Sequence, residues 1–184
     1  MVRRYFPNLR SFIVSMVVIL ILLTMAVVIT DHNNVRRLHR YLRAAETVRE
    51  ACYSLIEQRL AYAKALVRII DGQVDTGDLE EAILQWDPNA PVDVVSVLYR
   101  ALDDELSLLQ RKAVEHESYR DWSPYFDQMY LLELELADIS AQYQQRAIYF
   151  NAQKDGFPAL LVAKRHNLED LLLFDFGSAL KGRP

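Results

Sequence analysis

The stretch Ser11–Thr30, SFIVSMVVILILLTMAVVIT, decides how the rest of the chain must be read. It carries no charge between Arg10 and Asp31. As a helix it would reach about 30 Å, the thickness of a bilayer's hydrocarbon core. A buried helix of a soluble protein rarely runs this far without a charge. A cleaved signal peptide would have a shorter apolar block followed by small residues, whereas this one ends AVVITDHNN. The reading is an uncleaved anchor with a single spanning helix. Arg3, Arg4 and Arg10 precede it, and Arg36, Arg37, Arg40 and Arg43 follow it. Basic residues near the two ends set orientation, and here they nearly balance. The short basic N-terminus, residues 1–10, tips the reading to N-in.

The chain beyond the span reads as helix. Its 184 residues include only five glycines and six prolines, too few for the frequent turns of a sandwich or the phosphate loop of a dinucleotide fold. Neither residue occurs between Asn8 and Asp71. The spanning helix is therefore expected to continue into a soluble one, with Asp31–Asn34 as its softest point. Val35, Leu38, Leu42, Ala45, Cys52, Ile56, Ala63, Leu66 and Ile70 keep near-heptad spacing, the seam of a packed helix. Arg49 and Arg59 share that seam and need partners or an exposed edge.

DGQVDTGD (Asp71 to Asp78) is the first break, and it lacks the D-x-[DN]-x-[DN]-G order of a calcium loop. A short helix over Leu79–Trp86 and a second break at Asp87–Pro91 follow. Pro91 opens the next helix, with a stripe of Val95, Leu98, Leu102, Leu106, Leu109 and Ala113 and an end near Glu117. A turn is expected at RDWSP (Arg120 to Pro124), with Ser123 as N-cap and Pro124 in the first helical position. The last long helix runs to about Lys154 on Phe126, Met129, Leu132, Leu136, Ile139, Tyr143, Ala147 and Phe150. Gly156 and Pro158 end it, and Pro158 to Arg165 forms a short helix. LEDLLLFDF (Leu168 to Phe176) is apolar enough to dock on the bundle or on a membrane, and GSALKGRP looks frayed. The fold class is all-α: an N-terminal transmembrane helix (11–30), an elongated antiparallel helical bundle (31–167) and a C-terminal tail (168–184).

Charge is unevenly placed. Residues 31–68 hold eight basic and four acidic residues, whereas residues 71–138 hold four basic and 17 acidic ones. The acidic middle excludes nucleic acid as a partner, because phosphate contacts need a basic surface. Arg36, Arg37, His39, Arg40 and Arg43 form the candidate patch for lipid headgroups or an acidic partner. The carboxylates of the middle helices, Asp103, Asp104, Glu105, Glu133 and Glu135 among them, read as a solvated face. The four histidines are scattered, and no H-E-x-x-H, G-x-S-x-G or phosphate loop is present. Cys52 reads as a small buried hydrophobe. No catalytic residue, metal site or cofactor is expected. The helical tyrosines Tyr62, Tyr125, Tyr130, Tyr143 and Tyr149 are expected to be buried with a partner for each hydroxyl.

Tyr143, Phe150, Asn151, Phe157, Pro158 and Ala163 fall in a spacing like Y-x6-[YF]-N-x5-F-P-x4-A. Upstream, Arg59, Leu66, Val67 and Ile70 fit R-x6-LV-x2-V. On these residues, and on the run LLELELADI (Leu131 to Ile139), the chain resembles the LemA family. Gln144, Lys64 and Asn167-Leu168 stand where that family usually has asparagine, proline and Gly-Phe. The resemblance implies a bacterial, membrane-anchored helical protein without an established enzymatic activity. One branch, the MamQ proteins, serves magnetosome membrane formation. The motif positions read most simply as structural. Expected partners are the bilayer, other proteins and further copies of the chain. The functional expectation is a non-enzymatic scaffold, with a ligand-sensing helical module as its alternative.

Overall fold

The computed structural model describes residues 9–70 and 72–177. Most of the expected N-terminal segment, Asp71, and the expected frayed end beyond Gly177 lie outside the described residues. The described residues form five helices and no strand: α1 (Leu9–Ile70), α2 (Gly77–Leu84), α3 (Val92–Val114), α4 (Tyr119–Asp155) and α5 (Ala159–Arg165).

Helix α1 is continuous for 62 residues, about 90 Å at 1.5 Å per residue. The expected soft point at Asp31–Asn34 stays helical. Local partners hold it: Arg37 donates to Asn34 Oδ1 at 3.0 Å, and Arg165 from α5 pairs with Asp31 at 2.5 Å. Residues of the apolar stretch are exposed almost throughout, so none of the described residues covers them. Past Thr30 the seam closes. Leu38, Ala45, Cys52, Ile56, Ala63, Leu66 and Ile70 are fully buried, while Val35 and Leu42 are half-buried.

Cross-helix contacts give the direction of each helix. α4 lies antiparallel along α1, with Tyr149 against Tyr41 near the span and Glu133 against Arg59 further out. α2 turns back from the distal end of α1. α3 then starts beside Tyr53, whose hydroxyl donates to the Ala90 carbonyl at 2.8 Å, and runs outward past Arg59. The α1–α4 pair therefore lacks a third long helix below Tyr53. α5 and the extended segment 168–177 fill that gap. Leu38, Phe150, Ala159, Val162 and Ala163 form a small lower core, and the larger core runs above it.

Several boundaries differ from the sequence expectation. α2 begins at Gly77 and ends at Leu84, two residues earlier at each end than expected. α3 ends at Val114, not near Glu117. The turn falls at Glu115–Ser118, and RDWSP is helical: α4 starts at Tyr119 and contains Pro124. The ring of His116, stacked on Trp122 at 4.8 Å, accepts from the Ser118 N–H and closes that turn. Pro124 cannot donate to the Arg120 carbonyl, and the Ser123 hydroxyl donates to that oxygen instead at 3.3 Å. Ser123 thus acts inside the helix and not as its cap.

Segment 168–177 docks on the bundle, one of the two placements expected of it, and packs there as part of the core. Phe174 and Phe176 are 3% and 4% exposed. Their rings stack at 4.9 Å and meet Tyr143 at 5.1 Å and Tyr99 at 4.8 Å.

Candidate functional site

Two features stand out: a clamp that holds the extended strap, and the end of the bundle nearest the apolar stretch. The clamp is built from one face of α4. The Tyr143 hydroxyl donates to the Leu172 carbonyl at 2.7 Å. Asn151 donates to the Leu171 carbonyl at 3.0 Å and accepts from the Leu171 N–H at 2.9 Å. Gln144 donates to the Phe174 carbonyl at 3.0 Å. From α3, Ser96 accepts from the Asp175 N–H at 3.0 Å, and Arg100 pairs with Asp175 at 3.5 Å. Lys154 closes the lower end on Asp170 at 2.6 Å, and this bond raises its pKa. A strap without a neighbouring strand must satisfy its backbone from side chains, and these residues supply that.

The motif residues therefore divide. Tyr143, Phe150 and Ala163 are buried in the cores, and Asn151 binds strap backbone. Pro158 sits in the α4–α5 corner next to Gly156. Phe157, by contrast, is 85% exposed, so packing does not account for it. Of the other helical tyrosines, Tyr62 and Tyr149 are exposed and Tyr125 and Tyr130 half-buried, which departs from the expected burial. Tyr53 and Tyr99 carry the inward contacts instead. Burial raises the pKa of Tyr53, Tyr99 and Tyr143 alike.

The five residues of the basic patch are not brought together as one surface. Arg36, Arg40 and Arg43 are exposed and spaced four and three residues apart, so they line one stripe of α1. Arg43 also donates to the His39 carbonyl at 3.3 Å. Arg37 turns to Asn34, and His39 meets His166 of α5 edge-on at 6.1 Å.

Deeper in the bundle, Arg59 donates to the Tyr99 hydroxyl at 2.6 Å, to Asp103, and to Glu133 at 3.3 Å. Asp103 and Glu133 are thus not part of a solvated face, although Asp104 and Glu135 are exposed. Burial pulls the Arg59 pKa down, but Tyr99 and the two carboxylates outweigh it and the net shift is upward. The cluster ties α1, α3 and α4 at one level. Cys52, fully buried, has its thiol pushed up to about 12 by desolvation, which makes it inert. Among the described residues no three His, Cys, Asp or Glu side chains gather as they would around a metal ion.

An open groove of about 740 Å³ lies where α3 begins, between α1 and the strap. Its walls mix Leu42, Tyr53 and Leu171 with Arg49, Glu50 and Glu169. Charge is also sorted along the molecule. The basic segment 31–68 starts next to the apolar stretch, and the acidic segment 71–138 makes up the distal half.

Phe174 and Phe176 were absent from the sequence-level core. The alternation Phe174-Asp175-Phe176 was the available signal, a period of two inside a helical chain. Compared with family models, curated proteins and solved structures, the chain matches none.

Proposed function

We propose that the chain is a non-enzymatic, single-pass membrane-anchored scaffold that presents its helical bundle to protein partners. The observation that carries this reading is α1 itself. One unbroken helix contains a 20-residue apolar stretch that the fold leaves uncovered and the central seam of a packed bundle. Anchor and bundle are thus one rigid element. The sorted charge supports the same reading. A basic proximal segment suits anionic headgroups, while an acidic distal half is repelled by them and faces outward, toward a partner with a basic surface. The resemblance to LemA proteins points the same way, and a role in shaping a bacterial membrane of the MamQ type is its narrower form.

Proximity labelling from the intact chain, with the labelling enzyme fused after Pro184, tests this. The expected result is a reproducible set of protein neighbours on one side of a membrane. Recovery of the chain in the soluble fraction, without detergent, would refute the anchor. Labelling no different from that of an unrelated single-pass protein would refute the scaffold. The groove beside Tyr53 favours a second reading, a ligand-sensing module, because polar and apolar walls meet there. A small molecule protected in that groove, with no protein neighbours, would select it.

A further inference from the structure

The α4–α5 corner leaves two large apolar side chains in the open, Phe157 at 85% and Leu161 at 61% exposure. The rest of α5 is used: Ala159, Val162 and Ala163 seal the lower core against Leu38 and Phe150. Leu161 lies on the opposite face with Lys164 and Arg165, both exposed. Single exposed apolar residues are ordinary, so the position of this pair is what matters.

Two observations place it at the end of the apolar stretch. Phe150 packs at the level of Leu38. From Phe150, α4 continues five residues to Asp155, a descent of about 8 Å at 1.5 Å per residue. The same descent from Leu38 reaches Asn33, so the corner opens within one turn of Asp31. Independently, Arg165 pairs with Asp31 at 2.5 Å. Asp31 is the first charged residue after the apolar stretch. A surface at that height meets the headgroup layer of any bilayer that stretch crosses. Apolar residues flanked by cations, here Lys164, Arg165 and Arg36, are what such a layer accommodates.

We propose that this corner is a second membrane contact, in which Phe157 and Leu161 enter the interfacial layer while Lys164 and Arg36 meet lipid phosphates. The proposal rests on the anchor reading above. It makes the bundle sit on the bilayer by its base, docked at two points and fixed in tilt, and not held off on a free stalk.

The test uses the full chain with Cys52→Ala, so that single cysteines can carry an environment-sensitive fluorophore. Labels go at Phe157→Cys, at Leu20→Cys in the apolar stretch and at Glu117→Cys in the distal turn. The protein is reconstituted in phosphatidylcholine–phosphatidylglycerol vesicles containing lipids with doxyl quenchers. The expected result is quenching at 20 and 157 but not at 117. Quenching at 20 with none at 157 would overturn the docked corner and leave the anchor standing. No quenching at 20 would overturn the anchor reading itself. A second variant probes the energetics, with the label at Leu161→Cys. Burial of one phenyl ring is worth about a tenfold shift between docked and undocked states, so Phe157→Ser should release most of the quenching at 161. Unchanged quenching there would refute the role of Phe157.

Discussion

Replacing Phe174 with alanine tests whether the strap belongs to the core. The ring is 3% exposed and is enclosed by Tyr53 from α1, Tyr143 from α4 and Phe176 from the strap. Truncating a buried phenylalanine costs about 3–5 kcal/mol, and loss of the aromatic edge contacts places this site at the upper end. For a unit of this size 1 kcal/mol moves the midpoint by about 3 °C. The expected drop in Tm is therefore about 10–15 °C.

Thermal unfolding of the full chain in micelles, in a Trp86→Phe background that leaves Trp122 as the single tryptophan, followed by circular dichroism and by tryptophan fluorescence, measures it. Trp122 is buried at the distal end, on the opposite half of the bundle from the strap. If the strap is integral, its signal shifts together with the helical signal. Leu172→Ala is the control, because Leu172 is 50% exposed on the same strap. It should cost less than about 1 kcal/mol. Equal midpoints for Phe174→Ala and Leu172→Ala, or an unshifted Trp122 transition, would refute the claim that the strap completes the core.

Two further outcomes follow from the buried polar groups. Arg59→Met leaves Asp103 and Glu133 facing one another without their cation, which should cost about 3–5 kcal/mol in chemical denaturation; a cost below about 1 kcal/mol would mean the cluster is solvated. Tyr53, Tyr99, Tyr143 and Cys52 all bind their protons more tightly in the fold than in the unfolded chain. Their contribution is complete below the ordinary thiol pKa of 9.0 and is lost as pH rises toward the folded values, about 12 for Cys52. Each group that ionises only on unfolding then removes about 1.4 kcal/mol per pH unit. Stability should be flat from pH 7 to 9 and fall steeply above it, and a flat profile to pH 12 would show that these groups are wet.

The all-α class, the long first helix and the seam positions of α1 were readable because each follows from a local rule: glycine and proline placement, charge-free length and helical periodicity. Three features were not. The α3–α4 turn was misplaced because proline is a strong helix-start signal, and only the stacking of His116 on Trp122 shows that the helix begins earlier. Asp103 and Glu133 look like any charges on an acidic helix until Arg59 is seen between them. Arg59 itself was recognisable as needing a partner, but periodicity cannot say from which helix the partner comes. The strap was obscured by its leucines. LEDLLLFDF has helix-forming composition, and what holds it extended is the row of donors and acceptors on α3 and α4, separated from it by 20 to 79 residues.

The strap has one cause. α3 begins only at the level of Tyr53, so the lower part of the α1–α4 hairpin has two long helices where a closed bundle needs a third. A third helix there would have had to start near the level of Asp31, where the chain arriving from α2 does not reach. The gap is closed from the other side, by chain emerging from the bottom of α4. That chain must first turn near the level of Asp31, at the α4–α5 corner, and must then climb in extended form to reach Ser96 and Asp175's partner Arg100. Asn151 and Tyr143 serve the climb, and Phe157 and Leu161 are left at the turn. Motif residues on one stretch of chain thus have two different surroundings: Tyr143 and Asn151 face the strap, and Phe157 stands exposed at the corner. A variant that frees the strap should therefore also loosen the corner, because both hang on the same seven-residue helix.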